Sequence, residues 1–407
     1  MTTPTVQQAG AILSAIYKQA TGLSVPAPLD LSGFVSTATT VLNLGLDKVH
    51  NALWNMVGRT IIAVRPYKGR FSDMEFDADT WGIVDRKISF LSKLPGNNPA
   101  WEYPVTYDAT QTVPSGDGLS VDMYAINKDK MVQTAYYGRQ TYEYTRTRFA
   151  HQLETAFRGP DEFTRFMAGA MTSLNNDREM WWEGCRSGVL INAIAALASA
   201  EEEYPAGRVI HLLTEYNTET GLSLTNTTVR QPANFDGFCR WLYARMGDIK
   251  ALMARNNTLF TMQFTSFPEG YGVLRHTDNA NLRVKMSAPF LNRMRACVIS
   301  TTYNPEMLNL DGVEPVAYWQ SPAAAEQVQA KPTYTAWQGT EVTVSAVTVN
   351  NIVGIMYDRD FCGCTKIRSD AYTTPFNTRG KYWNDTYSDE VKTRIDMTEK
   401  AVLLLLD

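Results

Sequence analysis

The chain has 407 residues, 44% of them hydrophobic and 20% charged, with a net charge of −4. That length supports one to three domains, and the composition is that of a soluble globular protein, which argues against disorder and against a membrane protein. The slight negative balance gives no overall basic field for nucleic acid, so tight wrapping of DNA is not expected and weak contact stays open.

In chain order, Met1-Thr2-Thr3-Pro4 lacks a basic region before an apolar run, so no signal peptide is expected. Residues 1–35 mix small and polar side chains with Pro26 and Pro28 and read as an irregular arm with one short helix at 11–20. From Val35 the apolar spacing is helical through Val41, Leu42, Leu46, Val49, Leu53, Trp54 and Val57. Gly58 ends that helix, and Ile61-Ile62-Ala63-Val64 reads as a short strand. Residues 66–130 are dense in turn signals: Lys68-Gly69, Pro95-Gly96-Asn97-Asn98-Pro99 and Pro114-Ser115-Gly116-Asp117-Gly118. Strand-like pieces lie between them at 83–91 and 101–106. With little apolar mass, this segment suits an extended hairpin projecting from the body; an ordinary surface excursion is the alternative. Residues 131–149 read as one strand, with Thr141, Glu143, Thr145 and Thr147 alternating with Tyr142, Tyr144, Arg146 and Arg148.

The next stretch, 160–200, organises the chain. Pro160 suits a first helical turn, and Asp161 and Glu162 complement its positive end. Phe163, Phe166, Met167, Ala170, Met171 and Leu174 keep helical spacing, and Trp181, Cys185, Val189, Ala193, Ile194 and Leu197 resume it. Glu201-Glu202-Glu203-Tyr204-Pro205 stops it. The pattern gives either one helix of about 40 residues, ~60 Å long, or two joined at Asn175-Asn176-Asp177.

Residues 205–356 read as a second lobe: a strand at 209–213, a helix at 235–254 and strand-like stretches at 282–286 and 296–302. A linker-like 320–332 and β-rich runs at 342–349 and 352–357 complete it. Towards the end Val391, Thr393, Ile395 and Met397 share one strand face, with Lys392, Arg394 and Asp396 on the other. A last apolar strand at 401–406 is far shorter than the roughly 20 residues that span a bilayer.

No catalytic, cofactor-binding or metal-ligating residue is assigned. The phosphate-loop, dinucleotide, zinc-protease and nucleophile-elbow motifs are all missing from the sequence. His50, His151, His211 and His276 are far apart and read as surface or packed rings. Cys362-Gly363-Cys364 has the ligand type for a metal, but no second Cys or His pair stands nearby at finger spacing. Cys185, Cys239, Cys297, Cys362 and Cys364 are expected to be free thiols in a reducing compartment, which leaves the sequons at Asn226, Asn256 and Asn384 unglycosylated. Arg139, Arg146 and Arg148 interleave with Tyr136, Tyr137 and Tyr142; such a stretch can touch nucleic acid, and more often makes cation–π and salt contacts with a neighbouring subunit or strand.

The order of elements then matters more than any motif. A strand, Thr141-Tyr142-Glu143-Tyr144, leads through Leu153-Glu154-Thr155-Ala156-Phe157 into Asp161-Glu162-Phe163 and the long helix. Ile355-Met356-Tyr357-Asp358 and Thr378-Arg379-Gly380-Lys381-Tyr382-Trp383 precede the closing strands. This α+β arrangement resembles the major capsid proteins of tailed bacteriophages, the Hong Kong 97-type fold, and most of all those of small, short-tailed phi29-like phages. The resemblance is topological over most of the chain, and 320–348 is extra to it.

The resemblance implies an N-terminal arm at 1–35 and a peripheral domain of 36–65, 131–204 and 357–407 with its spine helix at 160–200. It further implies an extended loop at 66–130 that laps a neighbour, and an axial domain at 205–356. It implies a non-enzymatic subunit that gathers into pentamers and hexamers of an icosahedral shell, in the virion, after assembly in the host bacterial cytoplasm. The implied partners are other copies of itself, a separate scaffolding protein, a portal, and packaged DNA held by weak non-specific contact, with no membrane and no large cleavage. A nanocompartment shell of the same fold and a carbohydrate-active enzyme with a Trp/Tyr groove and two carboxylates are the alternatives. An adjacent cargo gene would favour the first, and elution as a small oligomer the second.

Overall fold

The structure, a computed structural model, describes residues 6–23, 30–42, 67–76, 84–93, 122–124, 126, 128–136, 140–151, 160–202, 207–262, 271–301, 312–335 and 341–407. The expected strands at 61–64 and 101–106, and the expected helix beyond residue 42, lie outside them. The helices are α1 (Val6–Thr21), α2 (Leu31–Leu42), α3 (Pro160–Ser199), α4 (Leu212–Thr220), α5 (Asn226–Val229), α6 (Pro232–Met253) and α7 (Ala288–Thr301). The strands are β1 (Glu75–Phe76), β2 (Asp85–Phe90), β3 (Ser92–Lys93), β4 (Met131–Tyr136), β5 (Gln140–Phe149), β6 (Val209–His211), β7 (Tyr271–Gly272), β8 (Leu282–Ser287) and β9 (Val313–Val316). They continue as β10 (Val328–Ala330), β11 (Thr333–Thr335), β12 (Glu341–Thr343), β13 (Val347–Val349), β14 (Ile352–Asp358), β15 (Cys362–Thr373), β16 (Tyr382–Ile395) and β17 (Ala401–Leu405).

The chain divides into two compact units. The first comprises Met1–Ile83, Gly138–Val189 and Gly363–Thr393. The helix expected at 11–20 of the arm is present as the longer α1, and α2 follows where the sequence suggested irregular chain up to residue 35. Asp30 caps α2 by accepting the Gly33 N–H at 2.8 Å, and α1 ends on Gly22 in the left-handed region, φ +78. Leu13, Ile16, Phe34, Ala38 and Val41 are buried, which is what makes two short helices stable.

The sheet of the first unit runs β1-β15-β16-β5, with β1 parallel to β15 and β16 antiparallel to β5. α3 is a single helix through 175–177. Asp177 there accepts from Tyr144 Oη and Arg146 Nη2, both at 2.8 Å, so tertiary bonds offset a locally weak helical sequence. Residues 67–76, which the sequence reading places at the start of the extended loop, pack firmly here. Phe71 and Met74 are buried, and Arg186, fully buried, pairs with Glu179 at 2.8 Å and with Glu75. The Gly69 N–H donates to Glu179 at 3.0 Å, and a Cβ on Gly69 would lie 2.5 Å from the Arg186 guanidinium, so this turn requires glycine.

The second unit comprises Val84–Tyr137, Leu190–Cys362 and Arg394–Asp407. Its sheet runs β6-β17-β14-β8-β9. β17 is an unbroken apolar run because it is an interior strand, parallel to β6 and antiparallel to β14 and buried at every position. Phe235, Phe238, Leu242, Ile249 and Met253 of α6 and Phe290 of α7 fill the core with Val402 and Leu404, and Phe235 meets Phe290 edge-on at 5.5 Å.

Four further expectations are corrected. Residues 131–149 are two strands in different sheets, β4 and β5. Of the strand expected at 296–302, residues 296–301 fall within α7 and 302 lies outside the described residues; Phe290, Leu291 and Met294 set a buried helical stripe that overrides the local propensity. The linker-like 320–332 is folded: β10 pairs with β13, Val328 and Trp319 are buried, and the Trp319 N–H donates to the Ala325 carbonyl at 3.1 Å. The strand expected at 209–213 gives way to α4 after His211.

Candidate functional site

In the second unit β2 and β4 form an antiparallel ribbon, in register from Asp85 opposite Tyr136 to Phe90 opposite Met131. Successive side chains alternate between faces. One face carries Lys87, Ser89, Val132, Thr134 and Tyr136; Lys87 is partly buried and the other four are buried. The other carries Arg86, Gln133 and Ala135 and leaves Ile88, Phe90 and Met131 exposed by 57%, 62% and 61%. Met123, Tyr124 and Ile126, from the same segment, are exposed by more than 80%.

The inward face is held mainly by polar groups. Lys87 Nζ donates to Asp396 Oδ2 at 2.5 Å and to Glu399. Arg275 donates to Ser89 Oγ at 2.6 Å and lies 3.3 Å from Glu399, while Arg394 stacks over the Tyr136 ring at 5.9 Å. Leu91, Val132 and Val273 add a small apolar cluster. Burial works against the Asp396 charge, but Lys87 and Thr398 hold its carboxyl below the usual carboxylate range. Burial pushes Glu399 up despite Lys87 and Arg275. The ribbon therefore turns its Lys87 face towards its own subunit and leaves Ile88, Phe90 and Met131 in solvent beside Arg86 and Gln133, whereas an ordinary hairpin on a core would bury its large apolar side chains. Sequence reasoning missed Lys87, Asp396 and Glu399 as a unit. The only local signal was a lysine inside the alternating run Lys87-Ile88-Ser89-Phe90.

The basic, aromatic stretch lies on β5 in the first unit. Arg146 stacks over Tyr144 at 5.6 Å and donates to Ser173 at 2.6 Å as well as to Asp177. Arg148 pairs with the fully buried Asp385 of β16 at 3.2 Å; burial lowers its pKa and Asp385 opposes that. Tyr142 packs on Trp181, ring centroids 4.5 Å apart. Both arginines are committed to a neighbouring strand and helix of the same chain. Tyr136 is on β4 of the second unit, and Tyr137 and Arg139 lie outside the described residues.

The remaining candidates stay apart. Cys362 and Cys364 are buried, and burial pushes the Cys364 thiol up to about 12 and that of Cys185 up to about 11, which keeps them protonated. His151 sits 5.8 Å from the Phe149 ring, His276 is exposed, and His50 lies outside the described residues. His211 bridges Asp407 at 2.7 Å and Glu201 at 2.8 Å; partial burial opposes its charge, and the two carboxylates hold it above its usual value. Among the described residues no group of three or more His, Cys, Asp or Glu could hold a metal. A shallow groove of about 440 Å³ holds Trp241 with Glu215, Glu219 and Asp248. Glu219 accepts from the Trp241 indole at 2.6 Å and Glu215 pairs with Arg245 at 2.8 Å, so these acids are engaged rather than poised as an acid–base pair.

A family model for the Phi29-like phage major capsid protein matches residues 13–405. The chain belongs to that family. It is a shell-forming major capsid protein of a tailed phage, and the match favours neither the nanocompartment nor the carbohydrate-active reading. A chain in the capsid structure of Staphylococcus phage Andhra is 9% identical, with a TM-score of 0.51 over 84% of this chain and 86% of that one. A chain in the structure of the head fiber and inner core protein gp22 of native bacteriophage P68 is 8% identical, with a TM-score of 0.51 over 84% and 85%. At that identity they bear on fold alone, and the fold is the Hong Kong 97 type that the order of elements suggested. No curated protein sequence matches the chain. The capsid protein self-assembles into the virion shell, and no described helix is long and apolar enough to cross a membrane.

Proposed function

We propose that this capsid protein is a non-catalytic building block whose subunits interlock through the β2–β4 ribbon. The observation that carries the reading is the exposure of three large apolar side chains, Ile88, Phe90 and Met131, on the ribbon's outward face. Such a face is costly in water and is relieved when a neighbouring copy covers it. In this reading the extended loop, expected at 66–130, is the part beyond the packed residues 67–76, and 1–35 is the arm. The peripheral domain is 36–65, 131–204 and 357–407, and the axial domain, 205–356, gathers at five- and six-fold positions. A separate scaffolding protein and a portal guide assembly in the bacterial cytoplasm. The net charge of −4 suits a shell that contains DNA by weak, non-specific contact.

Co-expression with a scaffolding protein, followed by electron microscopy and light scattering, tests it. Closed particles tens of nanometres across are the expected product. Monomers or dimers alone under those conditions would refute it.

A further inference from the structure

β5 is an edge strand. β16 pairs with it at every position from Gln140 to Phe149, and no other strand among the described residues borders it. Most of its ten residues are exposed. Over 140–147 such an edge presents a row of N–H and C=O groups that can take a further strand, which proteins ordinarily blunt with lysine, proline, a bulge or brevity. Gln-Thr-Tyr-Glu-Tyr-Thr-Arg-Thr-Arg-Phe contains no lysine or proline, and it is rich in strand-forming Thr, Tyr and Phe.

The strand is also complementary to itself. On the face that meets α3, tyrosines 142 and 144 come first and arginines 146 and 148 follow; the opposite face carries Thr141, Glu143, Thr145 and Thr147. Laid antiparallel on a second β5 about a two-fold axis at Tyr144, it sets Tyr142 opposite Arg146 and Glu143 opposite Thr145, each twice. The groups are ready for that contact. Asp177 and the Tyr144 ring fix the Arg146 guanidinium, while 26% of its side chain stays exposed. Tyr142 is braced by Trp181 and is 38% exposed. A guanidinium meeting an aromatic face across a newly formed ladder gains cation–π attraction and cross-strand packing together.

We infer that β5 pairs edge to edge with β5 of a second copy of this chain, extending the four-stranded sheet across a two-fold contact. This is an isologous contact, in which one patch serves both partners. It rests on the shell reading above and adds to it where two subunits meet.

The test uses assembled shells. Thr145, on the open face, lies diagonal to its own copy across the axis, with Cβ atoms about 7–8 Å apart or less. In shells of Thr145→Cys a short bis-maleimide linker should give covalent dimers that the parent chain, treated alike, does not give. In the parent, the alternate amides within 141–147 that point away from β16 should exchange roughly tenfold or more slowly in shells than in free subunits. Shells without dimers overturn the pairing: unchanged exchange means a bare edge, and slowed exchange means another segment covers it. Glu143→Cys is the second variant; if neither assembles, the parent decides: slowing symmetric about Tyr144 supports the pairing, and asymmetric slowing or unchanged exchange overturns it. A parent chain that forms no shells refutes the shell reading instead.

Discussion

The ribbon can be tested by inverting what its two faces do. Replacing Ile88 and Phe90 together by serine touches only the outward face. Full burial of such a side chain is worth about 1.5–3 kcal/mol. With 57% and 62% of their surfaces still exposed in the free subunit, each retains roughly 1–2 kcal/mol to be gained on contact. The pair then contributes about 2–4 kcal/mol per ribbon, a contact weakened roughly 30- to 700-fold on its loss. The free subunit gives up little, because exposed substitutions usually stay within about 0.5 kcal/mol. Light scattering should show particles appearing only at a much higher protein concentration, while the urea midpoint of the unassembled subunit barely moves. Particles of normal yield at the parental concentration would mean that no neighbour covers this face. A large fall in the midpoint would mean that the face is already packed within the subunit.

The mirror substitution, Lys87→Met, should do the opposite. It leaves the buried Asp396 without its cation, and with Lys87 about a quarter exposed the cost is about 2–3 kcal/mol of subunit stability, read as a lower urea midpoint and faster exchange over 85–90. Ala193→Pro places a proline at a fully buried position inside α3 and should cost about 3 kcal/mol or more; a melting temperature equal to the parent's would show that residue 193 is not in a packed helix. For His211, whose folded pKa is raised, the bridge to Glu201 and Asp407 contributes fully below the usual histidine value of about 6.5 and fades as pH rises through the folded value. The bridge is partly exposed, so the gap between parent and His211→Gln should be under about 1 kcal/mol at about pH 6 and should close towards about pH 9; a gap independent of pH would contradict it.

The sequence by itself determined the elements whose pattern is long or whose chemistry is local. The helical stripe of 160–200, the apolar run of β17 and the alternation on β5 are properties of neighbours in the chain, and they persist wherever the segment is placed. Their order was enough to suggest the capsid fold. Tertiary structure decided the rest. Whether 175–177 breaks the helix depended on Tyr144 and Arg146 reaching Asp177. Whether 296–302 is strand or helix depended on a stripe laid down by Phe290, Leu291 and Met294 against a core the local sequence does not name. Alternation in Lys87-Ile88-Ser89-Phe90 has a period but no sign. Only Asp396 and Glu399, some three hundred residues further on, turn the lysine face inward and leave isoleucine and phenylalanine outside. Local pattern fixes which residues share a face; charges and volumes brought together from distant parts of the chain fix which face meets the subunit's own interior and which is left for a neighbour.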